Sequence, residues 1–256
     1  MDMKVVILTR ALKMSERVKG ILNAQYRVHD MRNVAVLTYN QKHRKTYDTL
    51  CLLKANGYQN VKIYAQPMTY TKKHMPLINH RPVQNMLIPE PKELCSNFGY
   101  EYIEGDFNSK ITDNSAIYLL CGAGLLEKEF VRSHQIINAH PGYIPLARGL
   151  DAYKWSIYYD FPIGVTTHFL GDYIDAGEII EQRELKVGKY DTFHAVAQRV
   201  YENEIDMLVG AIELADKQHE FVMPKSNDVF RRMPYDLEKT LFKYFENYKE
   251  KHVEEG

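Results

Sequence analysis

The 256-residue sequence is poor in the residues that mark disulfide-rich or metal-binding proteins. It has three cysteines, Cys51, Cys95 and Cys121, which are widely spaced and form no Cys-x-x-Cys pair. An odd number of scattered cysteines does not provide a disulfide framework. We therefore expect reduced thiols in a cytoplasmic protein. No spacing of histidine and cysteine predicts a metal site, so no metal is expected.

Long hydrophobic runs and an excess of charge are also missing. The apolar run before Arg10 is too short for a signal peptide, and no segment approaches the roughly 20 apolar residues that cross a bilayer. Lysine plus arginine and aspartate plus glutamate each total 33, so the formal net charge is zero. A neutral chain has no general attraction to polyanions. We expect neither nucleic acid nor a membrane among its partners.

Short β-branched runs alternate with helical patterns through the first two thirds of the chain. Strands are predicted at residues 5–9, 34–38, 61–64, 100–103, 116–121 and 136–138, and helices at 15–25, 43–55 and 92–98. This β-α-β order predicts an α/β fold with a mostly parallel sheet flanked by helices. Residues 66–91 interrupt the pattern with five prolines. Such a segment is a functional or mobile loop, or a surface excursion without a ligand role.

The character of the sequence changes after Gly188. Asp191 or Thr192 can cap a long amphipathic helix, and a charged, aromatic-rich tail follows it. We therefore divide the chain into a catalytic core, residues 1–188, and a mainly helical C-terminal extension, residues 189–256. The apolar helix face fits a homodimer surface or packing on the chain's own core equally well.

The most informative segment is residues 136–180. Asn138 and His140 are two apart at the end of an apolar strand, so both side chains leave the same face. The carboxyl ends of parallel strands are where α/β sheets bind ligands. There, an amide and an imidazole can stabilise negative charge that develops on a carbonyl oxygen. Asp175, in the turn Asp175-Ala176-Gly177, offers a carboxylate that can orient and support such an imidazole.

Each of these features is ordinary when it stands alone, since a histidine after a strand is usually structural and Asp-Ala-Gly is a common turn. The ordered set is specific: Asn-x-His-Pro, Arg-Gly, Thr-x-His-Phe and Asp-x-Gly, from Asn138 to Gly177. It resembles the folate-dependent formyltransferase family, over about residues 3–187 and most sharply over 136–180. The resemblance implies a Rossmann-like fold and an enzyme that transfers the formyl group of N10-formyltetrahydrofolate to an amine.

The resemblance also implies roles for individual residues. Asn138, His140 and Asp175 correspond to the catalytic trio, and His168 to a histidine that is mainly structural. The implied folate pocket is formed by the segments around 121–126 and 171–174, with the cofactor-binding residues Gly124, Leu125, Leu126, Asp172 and Ile174.

Differences between this sequence and individual members of the family restrict which amine is expected as the acceptor. Residues 9–13 lack the glycines with which purine-pathway members bind a ribose phosphate. The segment after Val187 is shorter and less basic than the extra domain of members that act on tRNA. His140–Pro145, Arg148-Gly149 and Trp155 resemble the sugar-nucleotide N-formyltransferases. We therefore expect reduced folate and a nucleotide-linked amino deoxysugar as partners, in surface polysaccharide biosynthesis, with nucleotide contacts within residues 70–81.

Three alternatives stay open at this point. Another small amine, such as a glycinamide ribonucleotide-like acceptor, fits the same chemistry. Gly122-Ala123-Gly124 suggests an NAD-dependent dehydrogenase, although it lacks the third glycine and does not follow the first strand. A non-catalytic folate-binding protein is the third alternative. Fold-level resemblance does not determine a substrate.

Overall fold

The computed structural model describes residues 32–68, 75–83, 87–114, 116–124, 126–224 and 229–253. The strand predicted at residues 5–9 and the helix predicted at 15–25 lie outside these ranges. So do Leu125 and residues 70–74.

Strands and helices alternate up to the fifth strand. The strands are β1 Val34–Tyr39, β2 Val61–Gln66, β3 Glu101–Glu104, β4 Ile117–Leu120, β5 Gln135–His140, β6 Gly164–Phe169, β7 Gly177–Glu184 and β8 Glu220–Val222. The helices are α1 Arg44–Ala55, α2 Pro91–Phe98, α3 Phe107–Lys110, α4 Lys128–Ser133, α5 Ala152–Tyr159, α6 Phe193–Leu214, α7 Tyr235–Glu238 and α8 Leu241–His252. Each strand or helix predicted within the described residues is present, with its ends shifted by a few residues.

The strands form one sheet in the order β3-β2-β1-β4-β5-β6-β7-β8. Neighbours from β3 to β5 are parallel, and the pairs from β5 to β8 are antiparallel. The order reverses at β1, where β2 and β4 lie on opposite sides, as in doubly wound folds. The expectation of a Rossmann-like α/β fold with a mostly parallel sheet is confirmed.

Strand β5 is longer than the sequence pattern predicts. The predicted strand ends at Asn138, whereas β5 continues to His140, because β6 pairs antiparallel with it and aligns Asn138 with His168 and His140 with Thr166. The apolar pattern ends at residue 137, so the extension depends on the partner strand. Asn138 and His140 are therefore held by the sheet rather than by a loop.

The long helix α6 packs against strands β4 to β7. Thr192 caps it, since its hydroxyl accepts a hydrogen bond from Ala195 N at 3.2 Å. Buried Val196 and Met207 belong to the same hydrophobic cluster as Val36 of β1. The division between residues 188 and 189 stays a prediction, but α6 shares the core of the sheet. No described helix has both the length and the apolar composition that a membrane span requires.

The C-terminal segment is joined to the core by a fully buried ion pair. Lys154 of α5 contacts Glu238 of α7, and both side chains are 0% exposed. The second carboxylate oxygen of Glu238 accepts a hydrogen bond from Leu77 N at 2.7 Å. Leu241 and Phe245 of the aromatic-rich tail pack into the main hydrophobic cluster.

We predict that Lys154→Met destabilises the protein by about 3–5 kcal/mol, because it leaves the Glu238 carboxylate buried without its cation. The double variant Lys154→Met/Glu238→Gln should lose less than the two single variants together, since no uncompensated charge remains. Urea denaturation measures both. Lys239→Met, which breaks an exposed pair with Asp236, is the matched control and should destabilise the protein far less, since solvent screens that pair. A similar cost for the two lysine variants would contradict the prediction.

Candidate active site

The structure brings together the three residues of the predicted catalytic trio. Asn138 and His140 project from one face of β5, and Asp175 lies in the loop between β6 and β7. His140 Nδ1 lies 3.4 Å from Asp175 Oδ2. His168 Nε2 lies 3.8 Å from Asp175 Oδ1 and 3.3 Å from Asn138 Nδ2. Two stretches more than 30 residues apart in sequence thus form one polar cluster.

His168 determines the orientation of the Asn138 amide. Its Nδ1 lies 3.0 Å from the carbonyl oxygen of Phe169, which can only accept, so Nδ1 carries the hydrogen. Burial lowers the pKa of His168 to about 4, against a smaller opposing effect of Asp175, so the ring is neutral near pH 7. Its Nε2 then accepts one N–H of Asn138. The second N–H of the amide is left for another acceptor.

His140 is held by a close turn after β5. Its Nε2 donates to the carbonyl oxygen of Ala147 at 2.7 Å. Gly142 makes this contact possible, because a Cβ there would lie 2.5 Å from Ala147 O and 2.6 Å from His140 Nε2. The Pro141-Gly142 element of the sequence pattern therefore has a packing reason: only glycine leaves room for the imidazole to reach that carbonyl.

Asp175 is held in an unusual backbone conformation by Arg148 and Gly149. Its φ is +44°, a left-handed value that is uncommon for residues other than glycine. Arg148 Nε donates to the carbonyl oxygens of Ile174 and Asp175, each at 3.0 Å. Gly149 N donates to Asp175 Oδ2 at 2.8 Å. The Arg-Gly pair of the sequence pattern thus positions the carboxylate that faces His140.

The trio lines a cleft of about 610 Å³, a size typical of small-molecule sites. A buried charge network, which the sequence pattern did not reveal, lies on one side of it. Glu204 of α6 accepts from Lys45 Nζ at 2.9 Å and from Arg81 Nη2 at 3.1 Å. Burial raises the pKa of Glu204, but Arg81 and Lys45 outweigh that effect and lower it to about 2. Lys45 Nζ also lies 3.5 Å from the carbonyl oxygen of Ala139, between the two site residues of β5.

A sequence signal for this network exists. Glu204 occupies the buried face of α6, four residues after Val200, and Lys45 lies next to buried Thr46 on α1. A charged residue on an otherwise apolar helical face predicts a buried partner. The pattern does not show which partner, because the residues that meet are separated by more than 120 positions.

The residues of the implied folate pocket do not share a single cleft. Ile174 is 58% exposed and lines the 610 Å³ cleft. Asp172 lines a separate cleft of about 250 Å³ and pairs with Arg132 at 3.0 Å. Gly124 is exposed just after β4. Leu126 packs against a hydrophobic cluster that includes Leu37 and Tyr118. Leu125 lies outside the described residues. Their role in binding folate stays a prediction.

Residues 103–212 match the family model described as Formyl transferase. The match covers less than half of the chain, and we refer to this segment as the formyl transferase domain. It contains β5, β6, β7 and most of α6, and with them Asn138, His140 and Asp175. Gly122–Gly124, the basis of the dehydrogenase alternative, follows β4 within the matched segment, so the match disfavours that alternative.

Relatives of the formyl transferase domain act on different amines. Over 73 residues the chain is 34% identical to the dTDP-4-amino-4,6-dideoxyglucose formyltransferase of Mycobacterium bovis, covering 28% of this chain and 31% of that protein. Over 71 residues it is 31% identical to the phosphoribosylglycinamide formyltransferase of Bacillus subtilis, covering 27% and 36%. The chain spans about a third of the length of these two relatives.

The fold of the formyl transferase domain recurs in solved structures. An N-formyltransferase from Helicobacter canadensis, in complex with folinic acid and dTDP-3-aminofucose, superposes with a TM-score of 0.56. The match covers 79% of this chain and 71% of that chain at 16% identity. This similarity establishes a shared fold.

We predict that the protein loses stability as the pH falls from about 6.5 to 4, because His168 is neutral when folded. Its folded pKa, about 4, lies below the ordinary value of 6.5, so the unfolded chain takes up the proton first. The contribution of neutral His168 is complete above pH 6.5 and is lost as the pH approaches 4. Melting temperatures between pH 4.5 and 7.5 measure this dependence.

The variant His168→Gln should show a shallower pH dependence over that range, since it removes this titration. The same replacement at exposed His194 is the control and should keep the wild-type slope. His43, whose pKa burial also lowers to about 4, keeps some pH dependence in every variant. An unchanged slope in His168→Gln would show that His168 is not held neutral.

Proposed function

We propose that this protein transfers the formyl group of N10-formyltetrahydrofolate to the amine of a nucleotide-linked amino deoxysugar. The observation that carries the proposal is the convergence of Asn138, His140 and Asp175 in one cleft of a formyl transferase domain. An amide, an imidazole and a carboxylate are what acyl transfer to an amine requires: stabilisation of an oxyanion and movement of a proton.

Asn138 is suited to bind the formyl oxygen. His168 holds one N–H of its amide, and the other N–H has no protein partner within the described residues. The amide is half-buried and lines the cleft. A donor fixed in advance needs no reorganisation when charge develops, and one such donor typically contributes a rate factor of about 10² to 10³.

His140 and Asp175 form the charged part of the site. Because Nε2 of His140 already donates to Ala147, its Nδ1 faces the carboxylate of Asp175. Two acceptors would face each other there if Nδ1 carried no hydrogen. The geometry therefore favours an imidazolium beside an ionised Asp175, which places positive charge next to the developing oxyanion.

The reaction then proceeds by addition and elimination. The unprotonated amine attacks the formyl carbon, and the carbonyl electron pair moves to oxygen beside Asn138 and His140. The new C–N bond forms, the tetrahedral intermediate collapses, and the bond from the formyl carbon to N10 breaks. Asp175, directly or through water, takes the proton from the former amine, and the proton goes to N10. The net products are a formamide and tetrahydrofolate.

Two features of the described residues fit a folate at this site. Gly124 has open space where a side chain would stand, so a flat ring can approach the backbone at the carboxyl edge of β4. Ile174 exposes apolar surface on the rim of the cleft next to Asp175. Apolar surface beside a few polar groups is the usual lining of a small-molecule site.

The choice of acceptor rests on the chemistry of the cleft. Arg231 and Arg232 line it without pairing with Glu204, which favours an acceptor that carries phosphate. A nucleotide-linked amino sugar and a glycinamide ribonucleotide both do. The His140–Pro145 segment and the relative that acts on a dTDP-linked amino sugar favour the first. The relative that acts on phosphoribosylglycinamide keeps the second as the alternative.

We predict that Asp175→Asn lowers turnover about 10² to 10⁴-fold, because the amide cannot accept the proton of the attacking amine. Formation of tetrahydrofolate, followed by absorbance, measures the rate. Asp236→Asn, a matched change at an exposed carboxylate outside the cleft, should leave turnover unchanged. Near-normal turnover of Asp175→Asn would remove Asp175 from the proposed trio.

We also predict that nucleotide-linked 3-amino and 4-amino deoxysugars are formylated with a higher kcat/KM than glycinamide ribonucleotide. Both ligands carry phosphate, but only the sugar nucleotide carries a diphosphate, which the adjacent Arg231 and Arg232 of the cleft can match. A panel of acceptors, with product detection by mass spectrometry, decides the order. A higher kcat/KM for glycinamide ribonucleotide would contradict the amino-sugar proposal and favour the alternative acceptor.

A further inference from the structure

Part of the cleft wall comes from the segment Val229–Met233, far outside the motif region. Phe230 N donates to Arg148 O at 2.9 Å, and Leu150 N donates to Phe230 O at 2.8 Å. These two bonds attach the segment on either side of Gly149, whose φ of +93° and missing side chain allow the approach. The segment therefore joins the same backbone that positions Asp175.

The backbone around Arg231 and Arg232 is fixed independently of their side chains. The indole Nε1 of Trp155 donates to Arg231 O at 2.7 Å, and Met233 N donates to Asp151 Oδ2 at 3.0 Å. The ring of Phe230 stacks on Trp155 with 5.0 Å between centroids. A rigid backbone thus carries two adjacent guanidinium groups to the edge of the cleft.

The side chains of these two arginines are poorly neutralised. Within the described residues Arg231 forms no ion pair or side-chain hydrogen bond, and it is exposed. Arg232 Nη1 lies 3.5 Å from Asp151 Oδ1, longer than the usual charge-assisted hydrogen bond, and its side chain is 34% exposed.

The other charged groups of the cleft already have partners. Lys45 and Arg81 share Glu204, which is buried beneath them. Asp175 is held by Gly149 N and faces His140. Among the described residues, the positive charge of the cleft that lacks a close anionic partner is therefore concentrated at the Val229–Met233 wall. Guanidinium groups match phosphate oxygens with paired hydrogen bonds, so this wall suits a phosphate-bearing ligand.

We propose that Arg231, assisted by Arg232, binds the diphosphate of the nucleotide-linked acceptor. The proposal rests on the proposed function, because it assigns the anionic group of that substrate to a position in the same cleft. The diphosphate and the amine are attached to one sugar ring, so the anion subsite and the catalytic trio must line a common cavity, as they do. Arg231 and Arg232 are thereby specificity-determining residues contributed by the C-terminal extension.

Calorimetric binding of nucleoside diphosphates tests this assignment in the full chain. The probes are dTDP, UDP, GDP, CDP and inorganic pyrophosphate, and the one that binds most tightly is carried forward. Arg231→Gln should weaken its binding at least about 10-fold, the usual loss when a hydrogen bond to a charged group is removed. Arg231→Gln/Arg232→Gln should weaken it further, and affinity for the matching nucleoside should not change. Lys217→Gln, at an exposed position outside the cleft, is the matched control.

Steady-state kinetics provide a second readout. With a nucleotide-linked amino sugar as acceptor, Arg231→Gln should raise KM by a factor similar to the loss of diphosphate affinity and change kcat by less than about twofold, because the contact is remote from the formyl carbon. A wild-type protein that binds none of the diphosphate probes, or arginine variants that bind them as tightly as wild type, would overturn the assignment.

The two proposals fail in different ways. If wild-type protein formylates an amino sugar and the arginine variants keep the same KM, the subsite is wrong and the proposed function stands. If no acceptor is formylated but diphosphate binding still depends on Arg231, the subsite stands and the proposed function fails.

Discussion

The site depends on the attachment of the Asp175 loop to the Arg148-Gly149 corner. Asp175 has a left-handed backbone conformation, which costs free energy for a residue with a side chain. Arg148 binds the carbonyl oxygens of the loop, and Gly149 N binds the carboxylate itself. Without these contacts the Asp175 carboxylate would have no fixed position relative to the His140 imidazole.

The same corner connects the cleft to residues 229–238. Phe230 pairs with the backbone on both sides of Gly149, and Glu238 is buried against Lys154 of the helix that follows. Residues 229–238 are thus bound to both ends of the segment that positions Asp175. This arrangement explains how residues beyond the matched segment 103–212 line the same cleft as Asn138, His140 and Asp175.

Two buried ionisable groups near the cleft end in opposite charge states, because only one of them is buried with ions of opposite sign. His168 is buried with hydrogen-bond partners that its neutral form satisfies, so burial lowers its pKa to about 4 and the ring serves as a fixed acceptor for Asn138. Glu204 is buried with two cations, and their attraction outweighs desolvation, so it stays ionised. The neutral histidine orients the Asn138 amide, and the ionised glutamate pairs with Lys45 and Arg81.

The sequence by itself determined the strand and helix order, the parallel half of the sheet, and the identity of Asn138, His140 and Asp175 as candidates, because hydrophobic period and motif spacing are local properties. Only the tertiary structure decided that β5 continues to His140, that Lys45 meets Glu204, and that Arg231 and Arg232 reach the cleft. Those features depend on pairing between residues that are about 30 to 160 positions apart. Such pairing follows from how the elements pack on one core, which no local pattern records.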